Sequence, residues 1–405
     1  VDKKKVAGIG IKNEDVFKYL RGPEGTKVAL KVKRSGIEKL LDFTIIRGKI
    51  PIRSLETSFM ADAKTGYIKI SRFSATTYDE FMEAVEALKK QGMQNLILDL
   101  RGNPGGYLDA ATMLADEFLP DKKLIVYTEG KARPRKNYYA TEKGDFEKGK
   151  VFVLIDEGSA SASEILAGAL QDWDRAEIIG RRSFGKGLVQ EQTLFPDGSA
   201  MRLTVARYYT PTGRSIQKPY KNGYMAYEEE VYDRYKHGEM VNADSTHFND
   251  SLKYTTPGGK IVYGGGGIMP DLFVPIDTTS DNEFARSVFG LGLVSRFSYD
   301  YTDKHRNKLN TFKSIDDYIK GFSADQRLLS DFFVYAIDNK VRPDEKSIQA
   351  SKQLIANQLK ANIGRLLFGN DAFYRVVLSD DKAFNAALQQ AESTVQSKVK
   401  ESEMR

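Results

Sequence analysis

The sequence predicts an α/β fold for residues 50–279, with a short mixed segment before it and a helical region after it. Short apolar runs at 95–100 (NLILDL) and 151–155 (VFVLI) have the length and composition of strands buried on both faces. Each is followed by a tight turn and then a helical pattern, the alternation of a parallel sheet. Beyond about residue 280 that alternation gives way to helical spacing alone. At 405 residues the chain has room for two or three domains.

Along residues 1–49, Asn13 can cap a helix through about Leu20, with Val16, Phe17 and Leu20 on one face. The run RGPEG at 21–25 ends it. Residues 26–33 and 41–46 read as partner strands. In the central region, 66–71 is a strand. Residues 78–90 form an amphipathic helix with Phe81, Val85 and Leu88 on one face. A Gly/Pro loop at 101–106 leads into a helix over 108–118. After the strand at 151–155, a helix runs over 162–171 and a short strand over 176–179. Residues 188–195 and 200–208 read as an antiparallel pair around Pro196-Asp197-Gly198. Residues 218–262 are polar, Tyr-rich and poorly periodic, and read as an insertion or lid. The region 280–405 is expected to be helical, with helices over 314–321, 324–339, 345–368 and 381–399.

Composition excludes several chemistries. There is no cysteine, so disulfides, thiolate metal sites and cysteine nucleophiles are all ruled out. The three histidines, His237, His247 and His305, are too few for a His-rich metal centre. No metal or cofactor site is expected. The net charge of +6 is concentrated at the start, where residues 1–53 hold 14 Lys/Arg against 6 Asp/Glu. The remainder is nearly neutral, which argues against nucleic-acid binding. No run of 18 apolar residues occurs, so no membrane-spanning helix is expected. The opening VDKKKVAGIGIK has no initiator Met and no signal-peptide core, and reads as a mature or trimmed end.

The segment Gly158-Ser159-Ala160-Ser161-Ala162-Ser163-Glu164 joins a buried strand to a helix. A serine there can act as a nucleophile, with free N–H groups at the helix start to hold an oxyanion. Taken alone it reads better as an N-cap. No histidine lies near it in sequence, so a base would have to be a lysine, as in Ser–Lys variants of the triad. Lys186, between Gly185 and Gly187, is available, although an isolated GKG is ordinarily a solvated turn. Residues 180–186 (GRRSFGK) match G-x-x-x-x-G-K. Gly187 stands where a P-loop needs Ser or Thr, and a strand pattern follows instead of a helix, so nucleotide binding is rejected. The glycines of 99–106 (DLRGNPGG) can present backbone N–H groups to a ligand, and Asp99 and Arg101 suit a structural ion pair.

Taken together, the ordered blocks GYIKISRF, LILDLRGNPGG, GSASASEILAGAL, GRRSFGKGLVQ, DGSAMRLTVARYYTPTGRSIQ and GGIMPDLFV resemble the C-terminal processing peptidases, tail-specific serine proteases of family S41. The resemblance implies a ClpP/crotonase-like α/β core over 50–279. It implies Ser161 as nucleophile, Lys186 as general base and Gln190 as the residue that orients the lysine. The oxyanion hole would be the N–H of Ala162 with that of Gly106, in preference to Gly105. Ser159 and Ser163 would be structural. The reaction implied is cleavage of unfolded or exported proteins near their C-terminal tails, in a periplasmic or cell-envelope setting. Residues 1–49 resemble the C-terminal half of a PDZ domain. The peptide-capturing loop and strand would precede Val1, so residues 1–48 alone are not expected to bind a tail peptide. Region 280–405 is expected to serve homo-oligomerisation or to cover the cleft. The alternative reading is a catalytically silent peptide-binding scaffold of the same fold. The intact Ser161, Lys186 and Gln190 set argues against it.

Overall fold

A strand with apolar side chains on both sides needs cover on both faces, and that requirement organises the molecule. The computed structural model describes all residues except 3, 7, 8, 35, 36, 142, 143, 221, 222, 247–249, 404 and 405, with only the backbone of 393–403. The chain divides into two compact units, Arg53–Ser280 with Tyr374–Arg405, and Val1–Ile52 with Asp281–Phe373.

The chain begins with α1 (Asn13–Leu20), β1 (Lys27–Val32) and β2 (Leu41–Ile46). The strands pair antiparallel, with Lys27 opposite Ile46. Lys12, not Asn13, is the N-cap, and Asn13 is the first helical residue. The expected apolar face of α1 is not a core face here. Phe17 and Leu20 are exposed, as are Phe43, Ile45 and Ile46 of β2, and only Val28 of β1 is buried. One helix and a two-stranded ribbon are too small to close a core between them.

The larger unit follows with β3 (Leu55–Met60), β4 (Thr65–Ile70), α2 (Thr77–Lys90), β5 (Asn95–Asp99), α3 (Leu108–Asp116), β6 (Leu124–Gly130) and β7 (Arg133–Tyr139). Next come β8 (Val151–Ile155), α4 (Ala162–Asp172), β9 (Glu177–Gly180), β10 (Leu188–Leu194) and β11 (Ala200–Tyr209). The polar segment holds α5 (Gly223–Lys236) and the hairpin β12 (Lys253–Thr255) and β13 (Ile261–Tyr263), before β14 (Leu272–Phe273). The central sheet has the order β14-β9-β8-β5-β4-β3, parallel except for β3 at one edge. A second, antiparallel sheet has the order β10-β11-β6-β7. The expected pairing of 188–195 with 200–208 is its β10–β11 hairpin, whereas β3, β6 and β7 lie outside the sequence reading.

The two faces of the central sheet separate by strand alternation. Leu96, Leu98, Val151, Val153 and Ile155 join Phe81, Leu114 and Leu166 of α2, α3 and α4 in one core. Tyr67, Ile97, Phe152, Leu154 and Ile179 point the other way.

The remaining elements are α6 (Glu283–Gly290), α7 (Leu293–Lys304), α8 (Arg306–Leu309), α9 (Ile315–Gly321), α10 (Gln326–Asp338), α11 (Glu345–Phe368), α12 (Asn370–Val377) and α13 (Lys382–Glu403). Phe297, Phe332, Ile355 and Leu359 of α7, α10 and α11 form a separate core. The region from about 280 is helical, as expected, and its helices divide between the two units. From Tyr374 onward the chain belongs to the larger unit, where Phe384, Ala387 and Ala391 of α13 cover the second face of the central sheet. Helical spacing shows that a helix has an apolar face, but not which surface receives it.

Candidate active site

Ser161 stands at the junction of β8 and α4, as the N-cap of that helix. Its backbone has φ +56° and ψ −111°, a conformation a non-glycine residue holds only when its surroundings impose it. Those surroundings are specific. Ser159 Oγ donates to Leu100 O at 2.8 Å, and Ser163 Oγ donates to Asn103 O at 3.0 Å. Ala160 N donates to Asn103 O at 2.9 Å. The serines on either side of Ser161 are therefore fasteners between the 156–163 turn and the loop after β5.

That loop brings Gly105 and Gly106 against the turn. A Cβ on Gly105 would lie 2.7 Å from Ser161 Cβ and 2.8 Å from Ala162 N. A Cβ on Gly106, at φ +151°, would lie 1.8 Å from Phe73 O, so no side chain fits there. The two glycine N–H groups differ in availability. Gly105 N is occupied by Asn103 Oδ1 at 2.9 Å, whereas among the described residues neither Gly106 N nor Ala162 N has an acceptor. Two unengaged N–H groups thus belong to residues flanking the Gly105–Ser161 contact, the kind of donor an oxyanion requires.

Glu164, which the sequence reading quoted without a role, joins this turn to the segment carrying Lys186. Its carboxylate is fully buried and accepts four hydrogen bonds. Oε2 takes Ser161 N at 2.8 Å and Lys186 N at 2.8 Å; Oε1 takes Ser183 Oγ at 2.5 Å and Gly185 N at 2.6 Å. Ser161 and Lys186 therefore share one oxygen through their main chains, although 25 residues apart in sequence. Burial pushes the Glu164 carboxyl up from its ordinary value, and the four donors pull against it. The sequence signal was present: Glu at the third position after an N-cap Ser is a capping-box spacing.

The side chains of the pair are not hydrogen-bonded to each other. Lys186 and Gln190 line a cleft of about 1410 Å³, together with β11 residues, the end of β6 and the aromatic side chains Tyr220, Tyr224, Tyr227 and Tyr254. Gln190 is exposed, follows a register shift in β10, and makes no hydrogen bond to Lys186. The cleft is also lined by Lys131 and Lys218. Lys218 Nζ is 3.1 Å from Glu230 and stands over the rings of Phe184, at 3.9 Å, and Tyr227, at 4.4 Å. Burial pushes its ammonium down, and Glu230 opposes that. Of the histidines, His237 and His305 rest against backbone carbonyls of their own helices, and His247 lies outside the described residues.

Asp99 and Arg101 form the expected ion pair, at 2.6 Å. Burial alone would push the Asp99 carboxyl up, but Arg101 and Lys69 outweigh it and hold it well below the usual range. Arg101 also reaches Asp381 at 2.8 Å, tying the start of α13 to the end of β5. Under α4, Arg214 is wholly buried against Asp172 at 2.7 Å. Among the described residues no three His, Asp or Glu side chains converge as a metal site, and no helix is long and apolar enough to cross a membrane.

Comparison with known proteins matches residues 64–223 to the model of peptidase family S41, and residues 284–369 to a family of unknown function, DUF8443. A carboxy-terminal-processing protease of Bartonella bacilliformis is 37% identical over 69% of this chain and 63% of its own length. A carboxyl-terminal-processing protease of Synechocystis is 36% identical over 62% of this chain and 58% of its own. Carboxy-terminal processing protease CtpB of Bacillus subtilis is 39% identical over 51% and 43%. The chain thus spans less than two thirds of the length of each. A solved photosystem II D1 C-terminal processing protease superposes with TM-score 0.41 and 26% identity, over 67% of this chain and 61% of that one.

Proposed function

From the match of residues 64–223 to the model of peptidase family S41 we propose that the chain is a serine endopeptidase with a Ser161–Lys186 dyad, acting near the C-terminal tails of unfolded or exported proteins. One observation carries the reading. The Glu164 carboxylate holds the backbones of Ser161 and Lys186 on a single oxygen, while the N–H groups of Ala162 and Gly106 stand unengaged beside the serine.

In the reaction, the Lys186 amine accepts the Ser161 proton as Oγ attacks the scissile carbonyl. The oxyanion takes the N–H groups of Ala162 and Gly106, with Gly105 packing against Ser161 rather than donating. The protonated amine returns its proton to the leaving nitrogen. It then draws one from the water that attacks the acyl-enzyme and passes it to Ser161 Oγ as the ester bond breaks. Gln190, which lines the same cleft as Lys186, is assigned to orient the amine.

The substrates are protein tails entering the Tyr-lined cleft, and the setting is extracytoplasmic, as the family resemblance implies. Residues 1–49 are read as part of a PDZ-like domain.

The test is cleavage of an unfolded reporter with an apolar C-terminal tail. Ser161→Ala and Lys186→Ala should each lose several orders of magnitude in rate, because members of such a unit act together. Turnover that survives either change overturns the dyad. A wild-type chain that binds the reporter but never cuts it would favour the scaffold reading instead.

A further inference from the structure

The segment that delivers Lys186 is gripped from two sides. From α4, Glu164 takes the N–H groups of Gly185 and Lys186. From the other side comes the polar segment 218–262, through Arg234 near the end of α5. Arg234 is 5% exposed, and its guanidinium forks two consecutive main-chain carbonyls, Arg182 O at 2.7 Å and Ser183 O at 3.0 Å. Its Nε donates to Glu239 at 3.1 Å, and Glu239 also takes the side chain of Arg182 at 2.5 and 2.7 Å. Two further bonds follow the same segment: Lys218 N donates to Gly185 O at 2.9 Å, and Gly187 N donates to Gln217 Oε1 at 2.9 Å.

We propose that Arg234 is a positioning residue for Lys186, so that the 218–262 segment is part of the catalytic apparatus and not only a cover. This rests on the dyad reading above. Two arguments separate it from simple anchoring. First, anchoring needs only side-chain partners, and Arg182–Glu230 and Arg182–Glu239 already supply them. Arg234 instead spends its fork on backbone carbonyls, which fixes the planes of the peptides that follow Arg182 and Ser183. Second, the next N–H along the chain, that of Phe184, donates to Ser159 O at 2.9 Å, and the two after it are those on Glu164. From Arg182 to Gly187 the backbone is therefore held at nearly every peptide, so the path of the chain, and with it the origin of the lysine side chain, is determined from both sides. A displacement of about 1 Å at a reacting group can cost about 10²-fold in rate.

The experiment measures labelling of Ser161 by a fluorophosphonate probe and steady-state cleavage of the tailed reporter, in the full chain. Arg234→Ala should lower the labelling rate and kcat by about 10²-fold with KM little changed. Arg234→Lys, which can donate to one of the two carbonyls, should recover part of that loss. Added methylguanidinium should recover part of it in Arg234→Ala. A folded Arg234→Ala with wild-type labelling, or one that raises KM alone, overturns the proposal. If Arg234→Ala does not fold, Glu239→Gln takes its place. It leaves both carbonyl bonds possible but frees the guanidinium, and a loss of kcat supports the proposal where wild-type kcat overturns it. Lys186→Ala is the control: if it labels like wild type, the dyad itself fails. If it is silent while the Arg234 and Glu239 variants are normal, only the positioning role fails.

Discussion

Glu164→Gln is nearly isosteric, and it tests the idea that one carboxylate assembles the site. The amide keeps one acceptor oxygen and places an NH₂ where the other oxygen was. With NH₂ at the Oε2 position it faces the N–H groups of Ser161 and Lys186, leaving both unpaired. With NH₂ at the Oε1 position it faces Gly185 N and a Ser183 hydroxyl that already accepts from Ile268 N at 2.6 Å. The second arrangement costs less, with one orphaned N–H and the loss of charge assistance on the remaining bonds. A buried unsatisfied donor costs about 1–3 kcal/mol. At roughly 2–4 °C per kcal/mol for a unit of this size, melting should fall by several degrees while the chain stays folded. The functional loss should be larger than the stability loss suggests. The Ser161 and Lys186 backbones lose a common reference, and kcat should drop by about 10²-fold. Thermal melts and steady-state cleavage of the tailed reporter read the two effects separately. A variant with wild-type kcat would refute the argument that Glu164 sets the dyad's geometry, whatever its melting temperature.

Three other outcomes are expected. Gly106→Ala should be inactive and strongly destabilised, because its Cβ would fall 1.8 Å from Phe73 O, a backbone atom with no rotamer to escape through; recovery of a soluble, active variant would contradict this. Arg214→Met should destabilise the chain by about 3–5 kcal/mol, since it strands the Asp172 carboxylate in the interior, and denaturant titration measures it. For Asp99 the folded-state carboxyl titrates below its unfolded value, so on acidification the unfolded chain takes up the proton first and the stabilisation disappears as pH falls through the folded value. The stability gap between wild type and Asp99→Asn should be full at neutral pH and shrink below about pH 4; a gap that stays constant down to pH 3 would count against the ion cluster as its source.

The sequence by itself determined the α/β alternation, the small-residue turn of 158–164 at a helix start, the Gly-rich loop of 101–106 and the Asp99–Arg101 link. These are local features: an apolar run, a small-residue turn or two charges two residues apart carries its own reason within a few positions. What only the tertiary structure decided are the meetings of distant segments. Glu164 was legible as a capping residue, but its second grip, on Gly185 and Lys186, depends on how the chain returns after β9. The 218–262 segment looked irregular because α5 mixes tyrosines and charges without a clear apolar stripe; its buried groups are Arg234 and Tyr227, whose partners lie elsewhere in the fold. The last helix could be drawn from its spacing, yet its assignment to the central sheet required knowing that Ile97, Phe152 and Leu154 would otherwise face water. Periodicity specifies that a surface must be buried, and only the packed chain specifies against what.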